Sequence, residues 1–167
     1  FDSTALDTYE YLYAGESDST AIAEALLRDV EANDRGYRFL SKNVWGGRQL
    51  SRVETAAALQ IVSLRTGQDL GAIGADTWLT TSDPDDYPQT RAWAKWLRSV
   101  CPSASGVAWL SKREPGTTSY VIFGDRCPAG ALHLSAPPVP GACVFDEPDG
   151  FDWLRNHLAP YRVSIRR

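Results

Sequence analysis

Methionine is absent from all 167 residues, histidine occurs twice and cysteine three times. Each shortage excludes something. His133 and His157 lie far apart and in no ligand-spaced motif, and no cysteine stands where it could help. A zinc site is therefore not expected, nor any other metal. An odd set of cysteines without regular spacing (Cys101, Cys127 and Cys143) argues against a disulfide framework and fits a reducing compartment. One bridge with one free thiol is the alternative. No apolar run approaches the roughly 20 residues that span a bilayer. No membrane contact and a cytoplasmic location are expected. An excess of basic charge is missing too: 17 Lys+Arg face 21 Asp+Glu, a net charge of −4. That sign argues against a nucleic-acid partner, whereas a small anion needs only one local Arg cluster. There is no Walker loop, no Gly-x-Gly-x-x-Gly and no Gly-x-Ser-x-Gly elbow. A chain without Met that opens on Phe1 is expected to continue upstream.

What is present suits a packed core. The hydrophobic fraction is 43%, and six Trp, seven Tyr and five Phe supply large side chains. The length suits one domain over residues 1–167. Residues 9–14 read as an aromatic strand, followed by a helix capped at Asp18 or Ser19 and running to Val30, with Ile22, Leu26, Leu27 and Val30 on one face. Residues 31–48 read as loop. Strands are expected at 59–64, 107–110, 120–123, 131–134 and 161–165, and a helical turn or two at 69–73. The acidic stretch Asp83, Asp85 and Asp86 with Pro88 marks a helix start rather than a calcium loop. That helix carries Trp93, Trp96, Leu97 and Val100 on its packed side. Pro137, Pro138 and Pro140 mark a break before a last helix at 151–158, and Trp45 and Trp153 read as exposed aromatics serving an interface or the core. Without a regular βαβ repeat, the mixture is an α+β domain.

Three residues stand out: Tyr13 at the end of the first strand, Glu24 on the Ala21/Ala25 side of the first helix, and Ser111 just past a strand. Taken singly, they are a half-buried aromatic, a helix-surface carboxylate and a turn residue. Their contexts form four blocks. These are Leu12-Tyr13-Ala14 with Thr20 to Asp29, Gly47 to Arg52 with Leu59 to Leu64, Asp86 to Ala94, and Gly106 to Arg113. In order and spacing, from about residue 1 to residue 125, they resemble the RES domain family, with 126–167 an extension of the same domain.

The resemblance implies a fold like that of the ADP-ribosyltransferases and the activity of the NAD⁺-degrading toxins of Xre-RES type toxin–antitoxin pairs. Those enzymes hydrolyse or phosphorolyse the nicotinamide–ribose bond. Glu24 matches the family Glu, Ser111 the family Ser, and Tyr13 a Tyr ahead of the Glu. The family Arg is expected upstream of Phe1. Arg113 is a candidate phosphate partner. Ser119, where many members carry Asn, is a shorter substrate-binding group. NAD⁺ is then a substrate and no cofactor is required. A helix-turn-helix antitoxin protein and a second copy of the chain are the implied protein partners. A non-catalytic nucleotide-binding or protein-interaction module, and an ADP-ribosyltransferase acting on a protein, are the alternatives.

Overall fold

The computed structural model describes residues 1–28, 30–135 and 142–167. In chain order it contains β1 (Tyr11–Gly15), α1 (Asp18–Leu26), β2 (Arg38–Leu40), α2 (Lys42–Trp45), β3 (Gln49–Ser51), β4 (Val53–Thr55), β5 (Ile61–Leu64), α3 (Gly67–Ala72), α4 (Trp78–Thr81), α5 (Tyr87–Val100), β6 (Gly106–Leu110), β7 (Thr118–Phe123), β8 (Leu132–Leu134), β9 (Ala142–Val144), α6 (Pro148–Leu158) and β10 (Val163–Ile165). The mixture is α+β, as expected. No helix is long and apolar enough to cross a membrane among the described residues. The proline break at 137–140 lies outside the described residues.

The central sheet runs β1-β7-β6-β5, with β1 and β6 antiparallel to β7, and β5 parallel to β6. Side chains alternate across a strand. The register therefore puts Tyr13, Val121, Val107 and Val62 in one row, and Gly15, Ser119, Trp109 and Leu64 in the next, all on one face. That face packs on Leu70 of α3, Leu79 of α4 and Leu97 of α5. Gly106 lets β6 and β7 lie this close, because a Cβ there would sit 2.2 Å from the Val121 carbonyl oxygen.

A second core lies across α1. Ile22, Leu26 and Leu27 pack with Leu40, Trp45, Phe145, Val163, Ile165 and three residues of α6, Phe151, Leu154 and Leu158. α1 is thus a partition, with one side in this core and the side bearing Thr20, Ala21, Glu24 and Ala25 lining a cleft.

Several local expectations need correction. Ser17 caps α1, accepting the Thr20 N–H at 3.1 Å, and the helix ends at Leu26 rather than Val30. The stretch read as loop contains β2 and α2, and Trp45 is buried at 1% exposure. Strands of three residues and a helix of four are too short to show a period. On α5 the buried positions are Thr90, Ala94, Leu97 and Arg98, while Trp96 and Val100 are exposed. The reason is Arg98. Its guanidinium lies 3.8 Å over the Tyr9 ring and 4.7 Å from that of Phe123, and it donates to Asp7 at 3.0 Å and Asp125 at 2.7 Å. A paired cation has taken the place a hydrophobe would hold.

The three cysteines are free thiols. Among the described residues no group of three His, Cys, Asp or Glu could hold a metal ion. His133 faces Glu54 at 3.6 Å, and His157 stacks on Trp153 at 4.7 Å.

Two ion pairs give the fold an acid sensitivity. Hydrogen bonds from Arg52 and from Arg98 hold the Asp18 and Asp125 carboxyls below their ordinary range. A carboxyl depressed by folding stabilises fully above its unfolded value near 4, and that contribution is lost as pH falls through the folded value. Arg52→Met is therefore expected to be less stable at pH 7 and to lose less further stability between pH 5 and pH 3. Urea unfolding at the three pH values checks this; an unchanged acid slope refutes it.

Candidate active site

The cleft holds about 480 Å³. Its floor is the sheet face bearing Tyr13, Gly15, Ser119 and Trp109, and α1 is one wall. The other wall is the α4–α5 segment, including Leu79, Asp83 and Tyr87, and the β6–β7 loop supplies Lys112 and Arg113. Gly15 is required where β1 turns into α1, since a Cβ there would lie 2.7 Å from the Thr20 Cβ.

Glu24 is half-buried. Ala21 and Ala25 flank it on the cleft side, so little covers the carboxylate. Its Oε1 accepts the Ser111 hydroxyl at 2.6 Å and the Arg113 backbone N–H at 3.3 Å. Ser111 is 5% exposed and lies behind Glu24, not among the residues lining the cleft. Its Oγ also accepts the N–H groups of Arg113 at 3.2 Å and Glu114 at 2.9 Å. One proton and two lone pairs are the whole capacity of a hydroxyl, so Ser111 is saturated and acts by orienting Glu24 and the loop. Ser111→Ala is expected to cost about 1–3 kcal/mol, the range for leaving buried polar groups unpaired. Thermal unfolding reads this, and an unchanged midpoint refutes it.

The loop is held at both ends. Lys112 donates to the Thr81 carbonyl and to Asp83, each at 2.7 Å, which ties it across the cleft mouth to α4. Tyr161 donates to Glu114 at 2.7 Å, tying it to the C-terminal segment.

Tyr13 is half-exposed. Its hydroxyl donates to Asp2 at 2.8 Å, and its ring meets Trp109 edge-on at 6.1 Å. Burial and the Asp2 carboxylate push the phenol well above its ordinary range, so it stays protonated. Ser119 is 3% exposed, and its hydroxyl has no hydrogen-bond partner among the described residues. Buried polar groups are normally satisfied, so this hydroxyl just beneath the cleft floor is an exception.

Four of the five predicted residues, Tyr13, Glu24, Arg113 and Ser119, line one cleft, and Ser111 supports it from behind. Sequence reasoning missed Arg28, Arg48, Tyr87 and Asp2, which also line it. The one available signal was the four-residue step from Glu24 to Arg28 in a stretch read as helix to Val30, although α1 ends at Leu26 and Arg28 lies past it. A second hollow of about 500 Å³, between β3, β9 and α6, contains none of the predicted residues.

The arrangement fits a comparison of the chain with known families: the RES domain matches over residues 1–144, and the chain belongs to the RES domain family. The match runs past the last of the motif blocks and takes in β8 and β9. No curated protein and no solved structure matches the chain.

Proposed function

We propose that this chain breaks the nicotinamide–ribose bond of NAD⁺, with water or phosphate as acceptor, and acts as a cytoplasmic toxin. The observation that carries this reading is Glu24, a carboxylate fixed by Ser111 and facing a cleft with an aromatic floor and an unpartnered Ser119 hydroxyl. Departure of nicotinamide leaves oxocarbenium character on the ribose. A fixed carboxylate beside that carbon stabilises the developing charge without reorganising. Glu24 holds a ribose hydroxyl and faces the positive centre. Tyr13 and Trp109 present rings to the nicotinamide, Ser119 takes its amide, and Arg113 takes a phosphate oxygen. The chemistry needs no metal and no cofactor. A helix-turn-helix antitoxin protein that covers the cleft is the partner this reading calls for.

The test is nicotinamide release from NAD⁺ by the folded chain, with and without inorganic phosphate. Release that requires phosphate assigns a phosphorylase, and release without it a hydrolase. NAD⁺ bound without turnover makes the cleft a binding module. A labelled protein acceptor makes the chain a transferase. Neither binding nor release refutes the nucleotide reading altogether.

A further inference from the structure

We infer that Arg28, stacked on Tyr87 beside the cleft, is the contact for the diphosphate of a nucleotide ligand. This rests on reading the cleft as a nucleotide site and makes Arg28 the principal diphosphate contact, with Arg113 a secondary one.

The guanidinium carbon of Arg28 lies 4.8 Å from the centroid of the Tyr87 ring. Such stacking uses the flat face of the guanidinium and leaves its edge, where the N–H donors point, for other partners. No partner is there: among the described residues Arg28 makes no ion pair. Arg52, Arg91, Arg98 and Arg155 each pair with a carboxylate. The Tyr87 hydroxyl is buried and also lacks a hydrogen-bond partner among the described residues.

The charges around the cleft point the same way. Its three carboxylates are already engaged: Asp2 by Tyr13, Glu24 by Ser111 and Asp83 by Lys112. Arg28, Arg48 and Arg113 line it without an ion pair among the described residues. A protein of net charge −4 thus lines this cleft with four cations (Arg28, Arg48, Lys112 and Arg113) against three carboxylates, a local positive excess that favours an anion there. Of the three arginines, only Arg28 is held by an aromatic ring within the cleft wall. Arg28 also lies two residues past the end of α1, on the same cleft as Glu24. A nucleotide in the cleft then sets its pentose hydroxyls on Glu24 and its 5′-phosphate on Arg28. The guanidinium edge then meets two phosphate oxygens in the bidentate fashion that carboxylates and phosphates share.

The experiment compares ADP with adenosine by titration calorimetry on the whole chain and on Arg28→Met, Arg28→Lys and Arg113→Met. The wild type is expected to bind ADP at least tenfold more tightly than adenosine. Arg28→Met loses that preference while its adenosine affinity is unchanged, Arg28→Lys keeps part of it, and Arg113→Met keeps most. Arg28 is exposed, so its variants are expected to fold normally. The inference is overturned if Arg28→Met keeps the full preference, if Arg113→Met erases it instead, or if the wild type shows none. Its fate separates from that of the NAD⁺ reading. An Arg28-dependent preference in a chain that releases no nicotinamide upholds this inference and sinks the enzyme. Nicotinamide release with an ADP preference indifferent to Arg28 does the reverse.

Discussion

Glu24→Gln is expected to lower nicotinamide release by about three orders of magnitude with the fold intact, the scale set by removing one preorganised electrostatic group. The substitution keeps size and shape, and the amide oxygen can still accept the Ser111 hydroxyl and the Arg113 N–H that now meet Oε1. Only the negative charge disappears. A loss of activity with an unchanged unfolding temperature therefore belongs to the charge and not to the scaffold. Affinity for NAD⁺ should change far less than turnover, because the carboxylate is needed most when the ribose carries positive charge. Glu24→Gln that stays folded and turns over at the wild-type rate removes Glu24 from the mechanism.

The largest effect on stability is expected at Arg98. Arg98→Ala removes three hydrogen bonds, one to Asp7 and two to Asp125, together with the stacking on Tyr9 and Phe123. It also leaves a hollow on the inner side of α5, where Arg98 is 4% exposed. Breaking a buried pair by deleting one member costs about 3–5 kcal/mol. The Asp125 side chain is 43% exposed and can rehydrate, which places this case near the lower end. For a chain of this size about 3 kcal/mol corresponds to roughly 10 °C in the unfolding temperature. Arg98→Lys keeps the charge but not the planar fork, and should fall between the two. Calorimetric unfolding checks the order, and equal temperatures for all three proteins would show that the network contributes nothing.

Arg98 also explains where reading the sequence failed. Periodicity located α5, but hydropathy assigned its packed side to Trp96 and Val100, since an Arg scores as outward-facing. Only the fold brings Asp7 and Asp125 to it, from 91 and 27 residues away. Elements with a clear period were legible: β1, α1, β5, β6, β7 and α6 all fall near the expected positions. β2, α2 and β3 were not, since they gain their structure from partners far along the chain, as when β2 pairs with β10; β8 and β10, equally short, do fall within the expected 131–134 and 161–165. The site divides in the same way. Tyr13 and Glu24 belong to one local strand-and-helix unit. Arg28 follows that unit directly, but its significance depends on Tyr87, which the sequence showed only as part of the Asp86 to Ala94 block at a helix start. The depth of Ser111, behind the cleft and not in it, is a tertiary fact with no local signature.

Of the six tryptophans, Trp109 is the one that lines the cleft, between Phe1 and Tyr13. An adenine or nicotinamide ring laid on that floor would quench its indole emission, while Trp45, in the opposite core, reports on unfolding instead. If a nucleotide occupies the cleft, the protein would thus carry its own optical gauge of occupancy, with no dye attached. A Trp109→Phe variant that loses the ligand-induced quench but still binds by calorimetry would show that the signal comes from the cleft floor.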